Sequence, residues 1–193
     1  MTIAAPKRAN VRAQQTDAEL FAAIAHGDLG QLGLLFDRHH EPLRQFLLRV
    51  APTSADVDDL VQETFLTASR IAASFDGRES AFPFLMGISV QLLRRRKRTF
   101  SRLRALYESF GKAPTLPSSS PEERLSQAEE EARLQKAITR LSDERRLVLV
   151  MVEYNGLSGV EVAKMLDTPV GTIWRRLHEA RNELRYALER GEP

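Results

Sequence analysis

The stretch GLSGVEVAKMLDTPVGTIWRRLHEAR, residues 156–181, says more about the fold than any other part of the sequence. Apolar residues recur at helical spacing on both sides of a short break, which predicts two short helices joined by a tight turn. Asp167-Thr168-Pro169 supplies the break, because the residue before a proline disfavours the helical region and proline suits the start of a helix. The inward residues that we predict are Val162, Ala163 and Leu166, then Val170, Ile173 and Leu177.

The second of these helices has a basic face once its apolar residues are turned inward. Its predicted outward residues are Thr172, Trp174, Arg175, Arg176 and His178. A short helix with outward arginines and a hydroxyl fits the DNA major groove, where Arg pairs bidentately with guanine. The stretch therefore predicts a DNA-binding helix-turn-helix, and an ordinary helical hairpin with a solvated charged face is the alternative.

Composition restricts the class of protein. The 193 residues are 42% apolar and 28% charged, with a net charge of +2, which is ordinary for a globular chain. The absence of cysteine excludes disulfides and Cys-based zinc sites, and the four histidines do not cluster, so we predict no metal and no cofactor. No apolar run reaches the length of a bilayer and the N-terminus lacks the apolar centre of a secretory signal, so we expect a cytoplasmic protein without membrane insertion.

Charge is distributed in blocks along the chain. Residues 94–104 hold seven basic residues and no acidic one, whereas residues 122–131 hold five acidic residues and one arginine. This pattern indicates a basic surface for a polyanion and a separate acidic, solvated helix or linker.

The remaining pattern predicts an all-α chain of two small helical domains joined by a flexible linker. We expect a disordered tail at 1–16, a helical domain at 17–110, a linker at 111–121 with an acidic helix start to about 132, and the helix-turn-helix domain at 133–190. The first domain should hold four helices, and Pro42 should kink or split the second of them.

Two separated segments resemble one family. DVDDLVQETFLTASR, residues 56–70, resembles the most recognisable helix of bacterial sigma factors, and LLFDRHHEPLRQFLLR, residues 34–49, resembles the preceding helix of their compact extracytoplasmic-function (ECF) group. Residues 141–185 resemble the second domain of that group, with PVGTIWRRLHEAR matching its recognition helix. The resemblance implies a promoter-specificity subunit without catalytic residues, whose partners are core RNA polymerase, promoter DNA and an anti-sigma factor.

The resemblance also implies three surfaces. In the helix over residues 56–73 we predict a polar outward face that docks on the clamp of the polymerase's largest subunit, made of Asp58, Asp59, Gln62 and Glu63. The minus-ten element would be met by Asp76, Gly77, Arg78, Ser80, Gln91, Arg94, Arg95, Arg96, Lys97 and Arg98. The minus-thirty-five element would be met by Thr172, Trp174, Arg175, Arg176, His178 and, through phosphate, Arg181.

The chain also departs from the family pattern. Phe84 stands where tryptophan is usual, and Gly87 and Val90 stand where arginines are common on the surface that meets melted DNA. We therefore expect an unusual minus-ten preference or weaker promoter melting. Trp174 replaces a residue that is often basic or small, so we expect it to contact DNA in part or to pack against the neighbouring helix.

Two other classes of function remain open at this stage. A stand-alone helix-turn-helix transcription regulator would share the features of residues 156–181 but would lack the DDLVQETF segment and the basic helix after it. A nucleic-acid-processing enzyme would need a metal-binding acidic set or an activated nucleophile, and no such constellation is evident in the sequence.

Overall fold

The computed structural model describes residues 15–51, 54–109 and 127–189, and within these ranges every regular element is helical. The predicted all-α fold is therefore confirmed. Most of the predicted tail and the whole linker at 111–121 lie outside the described residues, so the domain boundaries stay predictions. The helices are α1 Asp17–Ala25, α2 Gln31–Val50, α3 Val57–Arg70, α4 Phe82–Ser109, α5 Gln127–Arg140, α6 Asp143–Leu149, α7 Gly159–Leu166 and α8 Val170–Glu189.

The chain divides into two compact units. The first takes the described residues up to Arg44 together with Asp58–Leu92, and the second takes Gln45–Val57 together with the residues from Leu93 onward. The core of the first unit is apolar, because α1, α2, α3 and α4 each turn one stripe inward. Its fully buried members include Leu20, Leu35, Leu43, Leu60, Leu85 and Met86.

Helix α1, in the first unit, begins with a capping box. The Thr16 hydroxyl accepts from the Glu19 amide, and the Glu19 carboxylate accepts from the Thr16 amide, which together form a capping box. The apolar stripe of α3 and of the turn after it is buried, and its members are Val57, Val61, Phe65, Ala68 and Ala72. A short 3-10 turn at Ala72–Ser74 follows α3 and leads into the loop before α4.

Pro42 does not divide α2, which runs unbroken from Gln31 to Val50. The proline is exposed. Proline costs the helix one internal hydrogen bond, and at an exposed position water can satisfy the carbonyl that loses its partner. Of the predicted kink or split, the split is therefore wrong.

The helix-turn-helix forms as the sequence predicts. Ser158 and Glu161 make a second capping box at the start of α7, and Asp167 closes that helix in the left-handed region, at φ 49°. Val162, Leu166, Ile173 and Leu177 are buried. Val170 is exposed instead, because it is the first residue of α8 and lies beyond the packed part of the stripe.

A wide helical turn joins α6 to the helix-turn-helix. Residues Val150–Tyr154 form a π-helix, and both the backbone and the side-chain amide of Asn155 donate to the Val150 carbonyl, at 3.2 and 2.8 Å. The Leu157 amide then donates to the Met151 carbonyl. Such wide turns are rare and are held in place by the packing around them, and here Val150 and Met151 are fully buried.

Candidate nucleic-acid interface

The outward residues of α8 differ widely in how accessible they are. The Arg175 side chain is 65% exposed, whereas the Arg176 side chain is 18% exposed and donates to Glu144 Oε2 at 2.6 Å. His178 is exposed and contacts Asn182, and Thr172 is half-buried. Arg175 is therefore the more available of the two arginines that were predicted to read bases.

Each arginine on this face already has a carboxylate partner. Arg175 contacts Glu179 at 3.2 Å, and Arg181 donates to Glu153 through Nε at 2.8 Å and through Nη2. Hydrogen bonding from Arg145, and then the charge of Arg175, lower the pKa of Glu179, so this carboxylate stays ionised. Exposed ion pairs of this kind are weak, so DNA phosphates can replace the carboxylates at small cost.

Trp174 lies on the start of α7. The residue is 50% exposed, and a Cβ built on Gly159 would meet its ring at 2.5 Å (Cζ2) and 2.8 Å (Cε2 and Cη2). Only a glycine allows the indole to lie this close to the helix backbone. Both expectations for Trp174 therefore keep support, because one side of the ring packs on α7 and half of the residue remains accessible.

The loop between the 3-10 turn and α4 holds four residues predicted to meet the minus-ten element. Asp76 accepts from Arg78 Nε at 2.7 Å and from Arg78 Nη2 at 2.5 Å, and this pairing lowers the pKa of Asp76 to about 2. Gly77 lies at φ 73°, in the left-handed region that suits glycine. The Ser80 hydroxyl accepts from the Phe82 amide at 3.2 Å. The Asp76 and Arg78 side chains are thus ordered by their pairing across the turn at Gly77.

Both ends of this loop pack on α1. Phe75 stacks on Phe21 with ring centroids 4.5 Å apart, and Phe84 meets both rings edge-on at 5.4 and 5.3 Å. At the other end the Ala81 amide donates to Asp17 Oδ2 at 2.7 Å. Phe84, which replaces the family's usual tryptophan, therefore belongs to an aromatic cluster in the first unit.

The basic run at the middle of α4 is only partly available to DNA. Arg95, Lys97 and Arg98 are exposed, whereas Arg94 is half-buried and donates to the Leu166 carbonyl at 2.9 Å. Burial, and then the nearby charge of Arg176, lower the pKa of Arg94. Arg96 lies 3.8 Å from Asp56, and Lys97 pairs with Asp143.

The residues before the basic run correct one expectation. Val90 is completely buried, so its position is not part of a DNA-facing surface, and the expected loss of a surface arginine there is wrong. The neighbouring Gln91 is exposed, as predicted. Val90 packs inward because it continues the apolar stripe of Met86, one helical turn earlier.

The polar face of α3 is exposed as predicted. Asp58, Asp59 and Gln62 are exposed and Glu63 is half-buried. Arg44 Nε donates to Asp58 Oδ1 at 3.0 Å. Leu66, which sequence reasoning did not single out, is 53% exposed on the same face, one turn after Gln62. An apolar side chain rimmed by polar residues is typical of the centre of a docking surface.

Two family models match this chain. The model described as "Sigma-70 region 2" matches residues 35–102, which hold α3 and most of α2 and α4. The model described as "Sigma-70, region 4" matches residues 131–184, which hold the helix-turn-helix. The chain is 34% identical over 173 residues to the ECF RNA polymerase sigma factor SigM of Mycobacterium tuberculosis strain H37Rv, covering 90% of this chain and 85% of that protein. The chain belongs to the ECF sigma factors.

Other relatives agree with this assignment. The ECF RNA polymerase sigma-E factor of Escherichia coli K12 is 31% identical over 179 residues, covering 89% of this sigma factor and 93% of the relative. The solved structure of CnrH in complex with the cytosolic domain of CnrY has a TM-score of 0.65 at 25% identity and covers 92% of this chain and all of that one. The structure of RpoE in complex with the anti-sigma factor NepR from Bartonella quintana has a TM-score of 0.64 at 21% identity, and the match covers 80% of this chain and 94% of that one.

The family assignment decides between the classes left open by the sequence. A stand-alone regulator has no sigma region 2, whereas this sigma factor matches that region over residues 35–102. Among the described residues, no group of three or more His, Asp or Glu side chains is arranged to hold a metal ion. Over the same ranges, no helix is both long and apolar enough to cross a membrane.

Proposed function

We propose that this sigma factor binds core RNA polymerase through the polar face of α3 and directs it to promoters read by α8 and by the loop before α4. The observation that carries the proposal is the division of α3 into two faces. One face carries buried apolar residues such as Val61 and Phe65, while Asp58, Asp59 and Gln62 project into solvent beside the exposed Leu66. An exposed apolar side chain surrounded by acidic groups gives both contact area and orientation to a basic partner.

Recognition of the minus-thirty-five element is assigned to the first half of α8. Arg175 is the most accessible arginine of this half, and Trp174 offers the exposed half of its ring beside it. Arg176 would have to exchange Glu144 for a base edge or a phosphate, and Arg181 would exchange Glu153. Duplex DNA provides the negative charge that makes both exchanges favourable.

Recognition of the melted minus-ten element is assigned to the loop at residues 76–80 and to the basic run of α4. The loop presents Asp76, Gly77 and Arg78 in a fixed turn, which suits contact with an unstacked base. Exposed Arg95 and Arg98 would follow the phosphates of the single strand.

The proposal gives this sigma factor no bond-making chemistry, since the polymerase carries that out. Its partners, core polymerase and chromosomal DNA, put its place of action in the cytoplasm. We also propose an anti-sigma partner, supported by the RpoE–NepR complex to which the fold is similar. Purification of the tagged protein from its own cells tests this point, because a true anti-sigma partner must suppress transcription when it is added back to the holoenzyme.

Co-elution with core polymerase and sequencing of transcripts made in vitro test the main proposal. Asp59→Lys should reduce co-elution strongly, since it places a positive charge on the docking face. Asp37→Lys makes the same charge change at an exposed aspartate of α2 and serves as the matched control. If both variants bind core polymerase like the unchanged protein, or if start sites do not change when the protein is added, the proposal is wrong.

A further inference from the structure

The loop Phe75–Ala81 has no regular structure of its own, and its proposed role requires a fixed shape. Residues 75–78 form no helix, and Asp76, Gly77 and Ser80 are exposed. The Asp76–Arg78 pair stabilises the turn between those two residues. The two ends of the loop contact one short helix, α1.

Asp17 holds the end of the loop that leads into α4. This carboxylate is 3% exposed, and its Oδ2 accepts from the Ala81 amide and contacts His39 Nε2, each at 2.7 Å. Its Oδ1 accepts from Arg38 at 2.5 Å. Buried carboxylates are stable only when they are paired, so Arg38 and His39 keep Asp17 charged and aimed at the Ala81 amide.

Phe21 holds the other end of the loop. It lies one turn after Asp17 on α1, is almost completely buried, and stacks on Phe75 at 4.5 Å. Phe84, in the first turn of α4, closes the cluster against both rings. The first residue of the loop and the first turn of the helix after it are thus packed against the same α1 side chain.

We propose that α1 positions the loop Phe75–Ala81 for capture of melted minus-ten DNA, with Asp17 and Phe21 as its positioning residues. The inference rests on the proposed function of the loop. Asp17 and Phe21 are buried and contact no DNA themselves; they fix where Asp76, Gly77 and Arg78 stand. Loss of either residue releases one end of the loop, and the loop then samples several shapes, of which few bind a flipped base.

Selection from a random pool of single-stranded DNA tests the inference. Holoenzyme reconstituted from core polymerase and the full chain is mixed with the pool, and the bound strands are sequenced. Asp17→Asn keeps an acceptor but removes the charge, and Phe21→Leu keeps an apolar side chain but removes the ring. Leu35→Ala, a cavity-forming change at a buried residue of α2, lowers stability while it removes neither Asp17 nor Phe21.

We expect both loop-anchor variants to reduce enrichment of the preferred strand about tenfold. Asp17→Asn weakens the hydrogen bonds that depend on the charge of the carboxylate, and Phe21→Leu removes the ring contacts with Phe75 and Phe84. Assembly with core polymerase should change little, and Leu35→Ala should keep the preference at temperatures where it is folded. The inference is overturned if Asp17→Asn and Phe21→Leu select the same strands as the unchanged protein, or if Leu35→Ala loses selectivity equally. If the unchanged holoenzyme enriches no sequence at all, the proposed minus-ten role itself fails, and the inference with it.

Discussion

Gly159→Ala tests directly whether the Trp174 ring packs against the backbone of α7 at Gly159. The added methyl would lie 2.5 Å from Cζ2 of the indole, whereas carbon atoms in ordinary contact are about 3.5 Å apart, so the ring must withdraw by about 1 Å. A ring that stays in place would be overpacked, which costs about 1–3 kcal/mol. A ring that leaves its seat becomes more exposed to water.

The size of the effect follows from the burial of the indole. A tryptophan buries roughly 200 Å² when it is fully covered, so the half-exposed Trp174 buries roughly 100 Å². Exposing this area to water lowers stability by about 2.5 kcal/mol. The better helix propensity of alanine returns up to about 1 kcal/mol. The variant should therefore be less stable by about 1.5 kcal/mol.

Fluorescence gives a specific assay, because Trp174 is the single tryptophan of the chain. Emission of Gly159→Ala should shift to longer wavelength and be quenched more strongly by iodide. Gly171→Ala is the matched control, since a Cβ built there has no neighbour within 4 Å. It should leave the emission unchanged and keep or raise stability. If Gly159→Ala behaves like this control in both measurements, the ring is not seated on Gly159 and the reasoning is refuted.

Five further changes test other parts of the molecule. Asp17→Ala should lower the free energy of unfolding by about 3–5 kcal/mol, measured by urea denaturation, because it leaves His39 without its buried partner. Burial raises the pKa of Asp17, but hydrogen bonds from Ala81 and Arg38 and the charge of His39 outweigh it, so the pKa is lowered. Stability supplied by this carboxylate is therefore present above the unfolded-state pKa of about 3.9 and is lost as pH falls through the lower folded value, and Asp17→Asn should flatten that part of the acid-unfolding curve. Arg176→Ala should weaken binding to the selected minus-thirty-five duplex by about 1–3 kcal/mol if the arginine reads a base, and Glu144→Gln should strengthen it, as fluorescence anisotropy would show. Ser158→Ala should cost about 1 kcal/mol in thermal unfolding by removing the α7 capping box, with unchanged stability as the contrary result.

Sequence reasoning succeeded where the cause of a structure is local. The Thr168-Pro169 turn and the helical spacing of apolar residues act over a few residues, so these patterns predicted helices that the structure has. Val90 shows the limit of comparing single positions with a family pattern, since burial of its side chain depends on the helices packed around α4.

The features missed by sequence reasoning depend on contacts between residues far apart in the chain. The sequence does not reveal the contact that Asp17 makes, because the amide that it binds belongs to Ala81, 64 residues later. Gly159 was missed because its partner, Trp174, is reached only across the turn between two helices. An exposed leucine such as Leu66 has no pattern that separates it from its buried neighbours until the helix is packed.

The π-helix at Val150–Tyr154 makes the approach to α7 sensitive to chain length. Deleting one residue there would remove the wide turn, because the segment would return to ordinary α-helical bonding. Asn155 and Leu157 would then lose the carbonyls of Val150 and Met151. Grafting a foreign helix-turn-helix onto this scaffold should therefore splice before residue 150 or after residue 157, so that the wide turn is inherited whole from one parent.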